Sequence, residues 1–146
     1  MPKDVAELIA LFDLEETGPS SFRGPHPRTY LQRLFGGQVL GQTLVAAART
    51  VAPDRQVHSL NAYFLRPGAN DAPLEFDVEI VRDGGTFSNR RVVTRQAGRE
   101  IFMMTASFQE AEEGLDHSAE QPADVAVPEA SPSLREVLRR RFGASF

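Results

Sequence analysis

Hydrophobic and polar residues change their spacing along the chain, and the spacing predicts helices first and strands later. Residues 4–14 place apolar side chains three and four positions apart, which is typical of one face of a short amphipathic helix. Residues 36–51 carry apolar groups almost all round, so we expect a buried helix there, ended by Pro53. Residues 15–28 between them are rich in glycine and proline and predict a loop, with a short strand over residues 21–23.

Four strand-like runs follow, separated by turn residues. They cover residues 56–66, 74–82, 86–96 and 100–109. The second run alternates apolar and acidic side chains, and Asp83-Gly84-Gly85 after it is a strong hairpin signal. Turns of a few residues imply antiparallel pairing. One buried helix followed by an antiparallel meander predicts an α+β fold in which a sheet wraps a long helix.

The composition changes after about residue 110, which divides the chain into two parts. Residues 1–110 contain the helices and strands expected of one domain. Residues 111–146 are rich in acidic residues and proline, which favours a linker or tail. A short terminal helix is predicted over residues 133–142, with Ser133 as its cap.

Composition and charge exclude several classes of function. The 146 residues have a net charge of −4 and no cysteine, so a basic nucleic-acid surface, a disulfide framework and a thiolate metal site are not expected. The three histidines lack the spacing of metal ligands, and we expect no metal. No apolar run approaches the roughly 18 residues of a membrane span. The sequence therefore predicts a cytoplasmic protein that binds neither nucleic acid nor membrane.

Gly37 and His58 are candidates for chemistry at a carbonyl group. Gly37 lies at the start of the predicted buried helix, where backbone N–H groups lack intrahelical partners and could stabilise an oxyanion. A tight turn that lets the helix pack on the sheet is the alternative. His58 lies in a predicted strand, on the face expected for Leu60, Ala62 and Phe64, and could act as a general base. A histidine that is hydrogen-bonded within the sheet is the alternative.

Two glutamines and two arginines complete the candidate residues. Gln42 and Gln109 adjoin apolar stretches, and their amides could orient a water molecule or bind an oxyanion, although solvent exposure or helix packing is the usual explanation for such residues. Arg90 and Arg91 are neighbours on a strand, so we expect them to point to opposite faces, where they could bind phosphates. A solvated strand face is the alternative.

Several segments together resemble the type II acyl-CoA thioesterases, the TesB-like family. They are Phe22-Arg23-Gly24, Phe35-Gly36-Gly37-Gln38, Gly41-Gln42, His58-Ser59-Leu60, Tyr63-Phe64-Leu65-Arg66-Pro67-Gly68, Arg82-Asp83-Gly84, Phe87-Ser88, Arg90-Arg91-Val92 and Ala106-Ser107-Phe108-Gln109. They occur in the family's order and nearly its spacing, between about residues 7 and 110. The resemblance implies a hotdog fold, and this chain looks like the N-terminal of the family's two hotdog units.

The resemblance also implies an activity, the hydrolysis of acyl-CoA, in which CoA is part of the substrate and no separate cofactor is needed. The family's catalytic aspartate, hydroxyl residue and glutamine belong to the C-terminal unit. By the internal symmetry of the two units, Gln109 takes the place of the glutamine and Gln42 lies near that of the aspartate, where it could not act as a base. The expected partner is a second copy or a C-terminal hotdog unit. A non-catalytic acyl-CoA-binding or assembly module is the alternative, and a hotdog dehydratase is a third possibility, disfavoured because no acid is placed near His58.

Overall fold

The computed structural model describes residues 4–26 and 33–143, which fall into two compact units, Met1–Glu112 and Glu113–Phe146. In chain order the first unit contains α1 (Val5–Leu11), β1 (Glu15–Gly18), β2 (Ser21–Gly24), α2 (Gly36–Ala48), β3 (Arg55–Phe64), β4 (Leu74–Asp83), β5 (Phe87–Gln96) and β6 (Arg99–Glu110). The predictions of two helices, of four long strands and of a short strand near Ser21 are confirmed. β1 lies in the segment predicted as loop, and that part of the prediction is wrong.

The strands form one antiparallel sheet in the order β1-β2-β4-β5-β6-β3. β4, β5 and β6 are joined by two consecutive hairpins, in agreement with the short turns between them. β3 precedes these three strands in sequence but pairs with β6, the last of them, so it forms one edge of the sheet. The ten residues of β3 therefore have a neighbouring strand on one side only within this unit.

Helix α2 lies against one face of the sheet, which we call the inner face. The helix side chains that are buried there are Gln38, Val39, Gln42, Thr43, Ala46 and Ala47. Ala46 and Ala47 let the helix approach the strands closely, and the hydroxyls of Thr43 and Thr94 are hydrogen-bonded at 2.8 Å across the interface. Leu40 and its neighbours on the far side are partly buried, so a single unit encloses one side of the helix completely.

The inner face of the sheet supplies the other half of the core. Its side chains alternate along each strand with those of the opposite, outer face, as in any strand. On β6, Phe102, Met104, Ala106 and Phe108 are buried, whereas the residues between them are less so. The same alternation on β5 buries Ser88, Arg90, Val92, Thr94 and Gln96. Four polar or charged residues of β5, Ser88, Arg90, Thr94 and Gln96, are thus buried with the core.

Helix α1 presents most of its apolar face to solvent in this unit. Leu11 is buried at its end, and the ring of Phe12 fills the space beside Gly41 of α2. Val5, Leu8 and Ile9 are exposed, with Val5 70% accessible. The prediction of an amphipathic helix is confirmed, but its apolar stripe lacks a cover in the part of the chain described.

The second unit contains a short 3₁₀ helix (Pro128–Ala130) and α3 (Leu134–Phe142). Ser133 and Glu136 form a capping box, in which the backbone N–H of Ser133 donates to the Glu136 carboxylate at 2.7 Å. This arrangement satisfies backbone groups that the first helical turn leaves unpaired. The predicted terminal helix with Ser133 as its cap is confirmed.

Candidate active-site residues

His58 lies at an irregularity in the edge strand β3. Val57 is paired with Phe108 and Ser59 with Ser107, so His58 is an extra residue on its strand. Such a bulge interrupts the alternation of side chains between the two faces of a sheet. His58 Nε2 lies 2.8 Å from the hydroxyl oxygen of Ser107, which belongs to the outer face.

The bulge corrects the predicted orientation of His58. Leu60 pairs with Ala106 of the inner face, and the rings of Phe64 and Phe102 are in contact there, with centroids 4.7 Å apart. His58 does not share this face, because the extra residue shifts the alternation by one position. The sequence carries no signal for that shift.

The surroundings of His58 are polar on one side and aromatic on the other. Its ring meets the ring of Phe87 edge to face, with centroids 5.6 Å apart. Its side chain is exposed, so a substrate or water molecule can reach it. The hydrogen bond to Ser107 matches the alternative of a histidine held within the sheet, and it also orients the imidazole.

Gln109 lies on the same outer face, two residues beyond Ser107 on β6 and opposite Phe87 of β5. Its amide nitrogen donates to the Glu112 carboxylate at 3.1 Å. The structure therefore places His58, Ser107 and Gln109 in one outer-face patch. Ser107 is the member of this patch that the sequence does not single out, because nothing in the sequence pairs it with His58.

Gln42 is remote from this patch and fully buried in α2. Its amide nitrogen donates to the carbonyl oxygens of Leu11 at 2.6 Å and Pro25 at 3.0 Å, and its amide oxygen accepts from Gln38 at 3.4 Å. Both of its N–H groups are occupied. Gln42 thus ties the end of α1 and the segment after β2 to α2, and it is not available to orient a water molecule.

Gly37 lies in the first turn of α2, as predicted. The nearby Phe64 ring would be 3.1 Å from a side-chain carbon added at Gly36, so the helix start lies beside the far end of β3. Phe64 lies six positions after His58 in β3, which corresponds to about 20 Å along an extended strand. The candidate oxyanion donor and the candidate base therefore belong to different parts of the unit.

Arg90 has a structural position that differs from the predicted one. It is 1% exposed, and its guanidinium makes five hydrogen bonds, to Thr50 Oγ1, Thr50 O, Arg82 O, Asn89 O and the Asp83 carboxylate. A guanidinium has five N–H donors, so none is left for a phosphate. The prediction that Arg90 binds a phosphate is wrong, because its side chain joins the β4–β5 hairpin to the end of α2.

Arg91 points to the outer face, as expected of a neighbour on the strand. It forms an ion pair with Glu79, and both side chains are 53% exposed. Such exposed pairs contribute little stability and can exchange partners. A role for Arg91 in binding phosphate stays a prediction.

The pKa of the Asp83 carboxyl group is shifted by its neighbours. The hydroxyl of Ser88, which donates to it at 2.6 Å, and the guanidinium of Arg90 lower the pKa of Asp83 from its ordinary value. Both interactions favour the charged carboxylate. The ion pair with Arg90 is consequently a structural element that weakens in acid.

Residues 4–26 and 33–143 show neither a membrane-spanning helix nor a metal-binding cluster. None of their helices is long and apolar enough to cross a membrane. Their histidine, aspartate and glutamate side chains form no group of three or more that could hold a metal ion.

Comparison with known proteins adds to this geometry. The model of the acyl-CoA thioesterase N-terminal domain family matches residues 25–109, which is more than half of the chain. Acyl-coenzyme A thioesterase 8 of Homo sapiens is 41% identical over 131 residues, which are 88% of this chain and 41% of the human protein. Acyl-CoA thioesterase 2 of Haemophilus influenzae is 41% identical over an alignment of 148 positions, which covers 94% of this chain and 51% of that protein.

Solved structures show the same relation. An acyl-CoA thioesterase II, TesB2, from Mycobacterium marinum is 47% identical with a TM-score of 0.76, over 86% of this chain and 47% of that one. A hot dog fold protein of Alicyclobacillus acidocaldarius is 25% identical with a TM-score of 0.70. The predicted hotdog fold is thus confirmed, and the chain spans about half the length of the relatives it matches. The chain belongs to the acyl-CoA thioesterase N-terminal domain family.

Proposed function

We propose that this chain is the N-terminal hotdog half of an acyl-CoA thioesterase, and that it acts together with a second hotdog unit. The observation that carries the proposal is the match of residues 25–109 to the N-terminal domain of such enzymes. The reaction is the attack of water on the thioester carbonyl, which releases a fatty acid and CoA. The predictions of a cytoplasmic location and of no separate cofactor stay predictions.

In this proposal His58 is the residue of the unit that handles protons. A neutral imidazole accepts a proton from water as the oxygen attacks the thioester carbon, and it returns the proton to the CoA thiolate as the carbon–sulfur bond breaks. Ser107, at 2.8 Å, fixes the orientation of the ring. Gln109, on the same face, can donate its second amide N–H to an oxygen of the reacting group.

The partner in this proposal is a second hotdog unit, either another copy or a C-terminal unit. Support comes from the edge strand β3, where Val57 and Leu60 are each 40% exposed and Phe64 is 59% exposed. An edge strand of ten residues with unpaired backbone groups and apolar side chains pairs readily with another strand. The exposed stripe of α1 is a further apolar surface that a partner would cover.

A non-catalytic binding or assembly module is the second candidate, and one observation favours it. Gln42, near the position of the family's aspartate, is buried with both amide N–H groups occupied, so the unit lacks a base at that position. Activity of the unit alone would then depend on the outer-face patch of His58, Ser107 and Gln109.

The experiment compares thiol release from a series of acyl-CoA thioesters with hydration of crotonyl-CoA by the purified protein. Hydrolysis without hydration supports the thioesterase, and hydration would show a dehydratase. The variant His58→Ala should lower hydrolysis by about 10²–10⁴-fold, the usual contribution of acid–base catalysis. Ser59→Ala, a neighbouring change on the same strand, is the matched control. Acyl-CoA binding without turnover would establish the binding module instead.

A further inference from the structure

A pocket lies where α2 begins, beside the segment that follows β3. It has a volume of about 310 Å³, and its apolar walls come from Leu34, Val39, Phe64, Leu65, Pro67 and Ile101. This volume is near the lower end of the range of about 300–1,000 Å³ typical of small-molecule sites. A pocket of this size can hold one functional group of a ligand and the part of the chain next to it, but not the whole of a large substrate.

The walls of this pocket are fixed by backbone contacts. The N–H of Leu34 donates to the carbonyl of Gly68 at 2.9 Å, and the N–H groups of Leu65 and Arg66 share the carbonyl of Ile101 at 2.8 and 3.1 Å. A side-chain carbon at Gly68 would come within 2.9 Å of Leu34 and 3.2 Å of Ile101, so the glycine allows these two side chains to pack closely. The pocket is therefore formed before any ligand arrives.

Two positive charges line the pocket without a compensating negative one. Arg33 and Arg66 contribute to its wall, and no acidic side chain of the described residues does. Within residues 4–26 and 33–143, the ion pairs involve Arg23, Arg49, Arg55, Arg90, Arg91 and Arg95, not these two. Arg66 Nη1 donates to the carbonyl of Glu100 at 2.7 Å, which positions the guanidinium and leaves its other donors for a ligand.

We propose that this pocket binds an oxyanion that is attached to an apolar chain. The two arginines would hold a carboxylate or phosphate, and the six apolar side chains would bury the adjoining chain. Two ligands of the proposed function carry an oxyanion on a chain with apolar segments: the fatty acid product, with its carboxylate, and CoA, with a phosphate next to the methyl and methylene groups of its pantetheine arm. The choice of these two ligands rests on the proposed function. Binding of an oxyanion in the pocket does not require that the protein be catalytically active.

Calorimetric titration of the full chain with decanoate, acetate and CoA tests the proposal. We expect decanoate or CoA to bind, and acetate, which lacks the chain, to bind far more weakly. Arg33→Gln and Arg66→Gln should each weaken binding by about tenfold, because each removes a charged hydrogen-bond donor. Arg23→Gln, at an exposed arginine of β2 that pairs with Glu15 and does not line the pocket, should leave the affinity unchanged.

The outcomes separate the sources and the two proposals. Binding of decanoate alone assigns the pocket to the product, and binding of CoA alone assigns it to the phosphate. Absence of binding by both ligands, or an unchanged affinity in Arg33→Gln, would overturn the inference. Arg33→Gln remains a valid test even if Arg66→Gln destabilises the loop. Arginine-dependent binding with no thiol release, even after a C-terminal hotdog unit is added, would leave the inference standing while the proposed function fails.

Discussion

Replacing Arg90 by alanine should destabilise the protein far more than the same change at the next residue. Arg90 is 1% exposed and makes five hydrogen bonds that join Asp83, the β4–β5 hairpin and Thr50 at the end of α2. Arg91, on the opposite face, has an exposed ion pair with Glu79. The two positions share strand, charge and size, so they form a matched pair that differs mainly in burial.

The expected magnitude follows from the partners that alanine would leave behind. Removing one member of a buried, hydrogen-bonded charge pair typically costs about 3–5 kcal/mol. The Asp83 side chain is 53% exposed, so solvent relieves part of the loss and the expected value is near the lower limit, about 3 kcal/mol. An exposed pair such as that of Arg91 contributes about 0–1 kcal/mol. The difference between the two variants should therefore exceed about 2 kcal/mol.

Urea denaturation followed by circular dichroism gives the free energy of unfolding of both variants. Arg90→Met is a useful third protein, because a hydrophobic side chain of similar length restores packing but none of the hydrogen bonds. We expect it to fall between Arg90→Ala and the wild type. Equal stability of Arg90→Ala and Arg91→Ala would refute the structural role assigned to Arg90 and would reopen its role in phosphate binding.

Three further predictions concern the same framework. The pKa of Asp83 is lowered in the folded state, so the contribution of Asp83 to stability is complete above its ordinary pKa of 3.8 and is lost as the pH falls through the lowered value. Asp83→Asn should therefore flatten the pH dependence of the free energy of unfolding in that acid range. Gly24→Ala should destabilise the protein by about 1–3 kcal/mol in urea denaturation, because the added carbon would lie 2.9 Å from Gln42 and from Phe76. Gly85→Ala, where the added carbon enters open space, should leave the stability unchanged, and similar unfolding midpoints for the two variants would contradict this packing. Gln42→Asp should lower the free energy of unfolding by about 1–3 kcal/mol, because it leaves the carbonyls of Leu11 and Pro25 without their donor, and it should not raise the rate of thiol release. A variant with faster thiol release and unchanged stability would show that position 42 belongs to the active site.

Periodicity predicts much of the fold because it reflects which side chains the core must bury. The alternation of Leu74, Phe76 and Val78 with acidic residues corresponds to β4, and the apolar character of residues 36–48 corresponds to α2. β1 escapes prediction because Glu15–Gly18 is a short edge strand that carries no buried side chain. Hydrogen bonding to β2, rather than apolar burial, defines it.

The candidate site is less predictable from sequence, because its geometry depends on contacts between distant residues. One extra residue in β3 turns His58 to the outer face, and only the pairing of β3 with β6 reveals it. Arg90 looks like a surface arginine until its partners, 7 and 40 residues away, are in place. Arg33 and Arg66 are far apart in sequence, and the pocket that joins them exists only in the folded unit.

The most direct test of the central claim is the rate of thiol release from acyl-CoA by this protein, measured alone and after addition of a C-terminal hotdog unit of the same family. The account predicts slow release by the protein alone and a marked increase when the second unit is bound. Fast release by the protein alone, with no change on addition of the second unit, would contradict the claim that this chain is one half of a two-unit thioesterase.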